Sequence, residues 1–162
     1  MPAPKVVLDC MVLVQAAARH RGTSRACFDA ARKSEIELCA SPQTIAELRD
    51  VLQRPELRSK LSELTDERAD RFVQELLRHC TLIETVPAVY HHPFDEKDAP
   101  YINLAIAAEV EYLVTRDKRH LLTLMDASKP HGLDFVRRFP RLRIIAPEQF
   151  LQILSLRTLK PD

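Results

Sequence analysis

The first apolar cluster along the chain, Val6-Val7-Leu8, is rich in β-branched residues and stops at Asp9, which predicts a short buried strand. A second apolar stretch, Met11 to Ala18, follows at once and predicts the start of a helix or a turn. Ser24 predicts the cap of a helix carrying Cys27, Phe28 and Ala31, and Ile36 to Ala40 predicts a second strand. Ser41-Pro42 has the chemistry of a helix start, with a hydroxyl at the N-cap and Pro at the first position. Ile45, Leu48, Val51 and Leu52 form the stripe of that helix, and Pro55 ends it.

From Glu56 to Cys80 the pattern predicts a short helical piece and then a longer amphipathic helix. Thr65 caps the longer one, Asp66 and Glu67 occupy its first turn, and Phe72, Val73, Leu76 and Leu77 form its buried side. Thr81 to Val86 reads as a strand, Pro87 to Lys97 as a loop, and Asp98 as the N-cap of a helix through Glu109. Tyr112 to Thr115 is the next strand. A short helix around Lys118 to Met125, an irregular basic stretch to Arg141, a strand at Leu142 to Ile145 and a helix from Pro147 complete the chain. Strands and helices alternate with no repeat and no linker. The economical solution is an α/β fold over residues 1–162, a single domain with a mainly parallel sheet of about five strands covered by helices on both faces. Ligands of such sheets gather outside the carboxyl ends of the strands.

Composition narrows the class. The 162 residues are 46% hydrophobic and 29% charged, with only two Gly, which disfavours disorder and Gly-rich phosphate loops. No apolar run approaches the roughly 18 residues of a membrane span. Val6 to Ala18 resembles the core of a signal peptide, but Asp9 and Gln15 interrupt it and only Lys5 precedes it. Cys10, Cys27, Cys39 and Cys80 are widely separated and read as reduced thiols. The expectation is a cytoplasmic protein without a membrane partner. Lys and Arg number 24 against 23 Asp and Glu, so a nucleic-acid partner would have to be held by a local basic patch or a metal.

Two predicted strands deliver an Asp at their carboxyl end: Val6-Val7-Leu8 runs into Asp9, and Tyr112 to Thr115 runs through Arg116 to Asp117. Glu47 lies roughly 110° from the middle of its helix's apolar stripe, at the border between core and crevice. Asp98 opens the helix that leads to the Asp117 strand. Each acid alone has a plain alternative, Asp98 and Asp117 as helix caps and Glu47 as a solvated helix residue. Together the four would repel one another unless a cation held them, and oxygen ligands of this kind suit Mg²⁺ or Mn²⁺.

The ordered segments Val-Val-Leu-Asp at 6–9, Ser41 to Leu48, Asp95-Glu-Lys-Asp98 with Tyr101 to Ala105, and Val114-Thr-Arg-Asp117 with Leu121-Leu122 resemble the motifs of PIN-domain ribonucleases. More narrowly they are similar to the VapC-like toxins of bacterial toxin–antitoxin systems, and Ile144 to Leu151 is similar to that group's last strand and helix. The resemblance implies that Asp9, Glu47, Asp98 and Asp117 are catalytic, metal-binding acids, with Thr115 a supporting hydroxyl and Asp95 an outer acid. It implies a Mg²⁺- or Mn²⁺-dependent ribonuclease whose metal-activated water hydrolyses the phosphodiester bond, a cognate antitoxin over the acidic crevice, and a homodimer. Cys10, Met11 and Arg116 depart from the residues usual at their positions in that family.

Single-stranded RNA fits best as substrate, because unpaired regions expose backbone and bases. Arg19, Arg21, Arg54, Arg58, Lys118, Arg119 and the run Arg137, Arg138, Arg141 and Arg143 are candidate phosphate contacts. Aromatic residues make up 6% of the chain, which suggests little base stacking. The six histidines read as surface or loop residues, with the His91-His92 pair the one to test. Two other readings stand beside the nuclease. A phosphatase of the haloacid-dehalogenase type also opens with a strand ending in Asp, but Asp9-Cys10-Met11 lacks that family's second Asp. A receiver-like or catalytically degenerate PIN scaffold would act as an RNA- or protein-binding module and would lack metal binding.

Overall fold

Five strands, β1 (Lys5–Leu8), β2 (Glu37–Ala40), β3 (Cys80–Leu82), β4 (Tyr112–Val114) and β5 (Arg143–Ile145), form one sheet in the computed structural model, which describes residues 2–159. All pairings are parallel and the order is β3-β2-β1-β4-β5. Residue 1 and residues 160–162 of the expected domain lie outside the described residues. Helices α1 (Cys10–Ala18) and α2 (Thr23–Arg32) lead from β1 to β2. Helices α3 (Pro42–Gln53), α4 (Pro55–Lys60) and α5 (Asp66–His79) lead from β2 to β3. Helix α6 (Ala99–Ala107) precedes β4, α7 (Pro130–Arg138) lies between β4 and β5, and α8 (Pro147–Thr158) follows.

Successive side chains of a strand point to opposite faces, and Val6, Val7 and Leu8 of β1 and Tyr112, Leu113 and Val114 of β4 are all buried, so both faces of the sheet centre are covered. Val6, Val7 and Leu8 stand in register with Tyr112, Leu113 and Val114. The chain steps outward from β1 to β3 on one side, then returns to build β4 and β5 on the other. That reversal opens a crevice at the carboxyl ends of β1 and β4, the topological switch point of the sheet.

Local chemistry sets several element ends as the sequence predicts. Ser41 Oγ accepts from Thr44 N while Ser41 N donates to Thr44 Oγ1, and Pro42 occupies the first helical position of α3. Thr65 caps α5 by accepting from Arg68 N.

Other ends differ from expectation. Ser24 does not cap α2: Gly22, at a φ of +108° that favours Gly, holds that place, and Ser24 is buried in the helix with its hydroxyl donating to Gln15 Oε1. Pro55 ends α3 by starting α4. The third strand stops at Leu82, because it is an edge strand with Thr81 and Leu82 exposed and a partner only in β2. Leu77 is exposed, since α5 buries only the narrow stripe Ala69, Phe72, Val73 and Leu76. The short helix around Lys118 is a turn followed by a 3-10 segment at Leu122–Met125. The basic stretch before Arg141 contains α7, whose buried side of Gly132 and Phe135 is too sparse to show a period in the sequence.

Gly132 seats α7 against the chain at Asp126. A Cβ there would lie 2.0 Å from the Asp126 carbonyl oxygen, a backbone atom that cannot swing away. Gly132→Ala is expected to lower stability by about 2 to 4 kcal/mol through this overpacking. Urea unfolding of the two proteins measures it, and an unchanged midpoint would contradict the packing described.

Candidate metal centre

The crevice is built from the ends of β1 and β4. Asp9 N donates to Val114 O at 2.9 Å, extending the ladder by one residue, and α1 then begins directly at Cys10. Asp9 is 8% exposed. Its Oδ1 accepts from Cys10 N and its Oδ2 from Thr115 Oγ1, both at 2.7 Å. Thr115 Oγ1 in turn accepts from Asp117 N at 3.0 Å, so one buried hydroxyl ties the first acid to the backbone of the fourth. Burial raises Asp9 to about 6. The Thr115 and Cys10 hydrogen bonds oppose the rise, and the carboxylates of Asp98 and Asp117 add to it.

Asp98 is the last residue of a 3-10 turn, Glu96–Asp98, that leads into α6, and it makes no side-chain capping bond. The expected cap role is absent. Asp95 caps that turn instead, accepting from Lys97 N. Asp98 Oδ2 is buried and has no hydrogen-bond partner, although His120 Nδ1 lies 3.1 Å away outside hydrogen-bond geometry. Burial, then Asp117 and Asp95, raises the Asp98 carboxyl above its ordinary value, while His120 and His92 oppose the rise. Asp117 Oδ1 accepts from Arg119 N and His120 N, so part of this carboxylate does hold the following turn, as its alternative reading allowed.

His120 is the residue that sequence reasoning missed. Its Nδ1 stands 3.1 Å from Asp98 Oδ2 and 3.8 Å from an oxygen of both Asp95 and Asp117. The donor atoms of Asp95, Asp98 and His120 lie within 4.8 Å of one another, a spacing suited to one cation, and they are the only such group among the described residues. His92 holds this arrangement from behind. It is buried, its Nδ1 accepts from Phe94 N and Asp95 N, and that places its proton on Nε2, which meets His120 O at 2.6 Å.

Glu47 is half-buried on α3, at the border its helical angle predicts. Its neighbours are the Cys10 thiol, which burial and then Glu47 push up to about 12, and the phenol of Tyr101. Glu47 therefore flanks the crevice from the Cys10 side and stands apart from the Asp95, Asp98 and His120 group. The donor set fits a hard or borderline divalent ion: carboxylate oxygens with one imidazole nitrogen, and a buried carboxylate oxygen with no other partner.

The basic candidates divide. Arg58 bonds Leu52 O and Asp66, Arg54 pairs with Asp50, and Arg138 and Arg143 lie over the rings of Tyr90, Phe139 and Tyr112. Lys118 and Arg119 are exposed beside Asp117. Arg19, His20, Arg21 and Lys60 line a cavity of about 490 Å³. All four cysteines are free thiols, and among the described residues no helix is long and apolar enough to cross a membrane.

A strand order of 3-2-1-4-5 with acids at the switch point defines a doubly wound α/β protein with an acidic ligand site. The PIN-domain family matches residues 5–119, a span that takes in Asp9, Glu47, Asp95, Asp98 and Asp117, and the chain belongs to that family. PIN domains are usually metal-dependent nucleases. No curated protein matches the chain. The crystal structure of PAE2754 from Pyrobaculum aerophilum is similar in fold, with a TM-score of 0.55 and 17% identity over 96% of this chain and 98% of that one.

The raised Asp9 sets a pH dependence. Between its unfolded value of 3.8 and about 6, the folded chain holds a proton that the unfolded chain has released. The metal-free protein therefore loses stability from this group as pH rises through that interval, by up to about 3 kcal/mol. Asp9→Asn is expected to remove the loss, so that in EDTA the variant gains on the wild type between pH 4 and about 6. A Mn²⁺-dependent rise in the wild type's midpoint at neutral pH is the expected outcome, and the variant should lose it. Urea midpoints of both proteins across that range, with EDTA and with Mn²⁺, test both halves.

Proposed function

We propose that this chain is a divalent-metal-dependent ribonuclease acting on single-stranded RNA, and that it is the toxin of a toxin–antitoxin pair. The observation that carries the reading is the meeting of Asp95, Asp98, Asp117 and His120 at the switch point, with Asp98 Oδ2 buried and unpartnered. Membership of the PIN-domain family supports the nuclease. The likeness to VapC-like motifs supports the toxin assignment.

Asp98 and Asp95 would hold Mg²⁺ or Mn²⁺, with His120 as a nitrogen donor and Asp9, Asp117 and Glu47 facing the same crevice. A divalent ion bound there supplies an acidified water as nucleophile and a counter-charge for the phosphodiester. Thr115 keeps Asp9 and the Asp117 turn in fixed relation, so the acids need no rearrangement when substrate enters. Lys118 and Arg119 are placed to contact phosphates that flank the crevice. No serine or cysteine nucleophile is required, and the buried Cys10 thiol, raised to about 12, is unsuited to be one.

The antitoxin of such a pair is expected to lay a basic side chain over the carboxylates, replacing the charge of the metal, and a second copy of this chain is the expected homodimer partner. Purified protein incubated with a total tRNA and rRNA pool in Mg²⁺ or Mn²⁺ tests the reading. Cleavage that EDTA abolishes, and that Asp98→Asn reduces at least about 100-fold, is expected from loss of a metal-held carboxylate. Absence of cleavage together with no Mn²⁺-induced stabilisation would instead identify a degenerate scaffold.

A further inference from the structure

The segment that delivers the acids carries an aromatic ring that the fold leaves more than half exposed. Phe94 is 58% exposed, although it belongs to the segment that delivers Asp95 and Asp98. The segment is pinned: Phe94 N donates to His92 Nδ1 at 3.1 Å, and the same buried imidazole is tied to His120 O. The ring itself meets His131 of α7 edge to face at 4.8 Å between centroids, and His92 at 5.9 Å. One turn thus carries a mostly exposed aromatic ring, held by its contacts with His131 and His92, and, at the next residue, a carboxylate 3.8 Å from His120 Nδ1.

We propose that Phe94 is a base-stacking platform, taking the nucleobase of a nucleotide that flanks the phosphate held at the acids. The proposal rests on the ribonuclease reading above. A nucleobase needs only one ordered π-face, and every base has one to offer. A protein partner would need a contiguous apolar core, and the sequence neighbours of Phe94 on the surface are His91, Pro93, Glu96 and Lys97. The low aromatic content therefore does not exclude stacking, because one ring in the right place suffices for one base. The ring would select unpaired strands, since a paired base is already stacked in its duplex.

The chain contains no Trp, so Phe94→Trp installs a single fluorescent reporter at the proposed contact. In Ca²⁺, used so that the strand stays whole, single-stranded oligo(rA) is expected to quench this Trp. The same strand carrying abasic sites should quench it at least several-fold less. Phe94→Ala is expected to weaken oligo(rA) binding roughly 5- to 150-fold, with little loss of affinity for the abasic strand. As Phe94 is mostly exposed, its thermal midpoint should match that of the wild type, which the same samples show by circular dichroism. If the wild type cleaves RNA but Phe94→Ala binds oligo(rA) normally and Phe94→Trp is not quenched, the stacking role is overturned and the nuclease stands. If the wild type neither binds nor cleaves RNA, both readings fall. Quenching by a co-purified protein and not by RNA would reassign the ring to a protein contact and overturn the proposal.

Discussion

One buried hydroxyl organises the crevice. Thr115 Oγ1 donates to Asp9 Oδ2 and accepts from Asp117 N, closing the gap between β1 and β4 at the point where the strand order reverses. Without it, Asp9 would be a desolvated carboxylate with one backbone partner, and Asp117 N would lose its acceptor. The two hydrogen bonds to Asp9 do not cancel the cost of burial, because the group still sits at about 6. A site that disfavours bare negative charge would be relieved by a cation, whose binding free energy would add to folding stability.

What was legible in the sequence was local. The strand ending in Asp9, the Ser41 and Thr65 caps and the border position of Glu47 each follow from residues within one or two helical turns, and the structure reproduces them. The parallel sheet followed from the alternation of elements. His120 was not legible, since its meeting with Asp95 and Asp98 spans more than twenty residues, and His92, whose Nε2 meets His120 O, accepts its two backbone N–H bonds only once the loop has folded. Helix α7 failed for a different reason: its packing uses a glycine against a carbonyl, a contact with no hydrophobic signature.

The dual role of Asp117 shows why single acids were ambiguous. As a cap it holds the turn through Arg119 N and His120 N with one oxygen, while its other oxygen remains 3.8 Å from His120 Nδ1. A cap and a ligand are therefore compatible functions of one carboxylate, because each oxygen has lone pairs to spare. Asp98 resolves the other way. Its capping role passes to Asp95, three residues earlier, and its own Oδ2 is left buried without a partner.

The departures from the family pattern can be weighed by where their side chains go. Arg116, between Thr115 and Asp117, does not enter the crevice. Its guanidinium bonds Gln15 Oε1 at 2.7 Å and Glu148 Oε1 at 2.9 Å, and also reaches Thr23 and Ser24. One side chain thereby ties the end of β4 to α1, α2 and α8, and a small residue at this position would leave Gln15 and Ser24 with fewer partners. Cys10 turns inward beside Tyr101 and is buried in the core. Met11, 43% exposed in the first turn of α1, is the departure that faces solvent. None of the three side chains displaces the contacts among Asp9, Thr115 and Asp117.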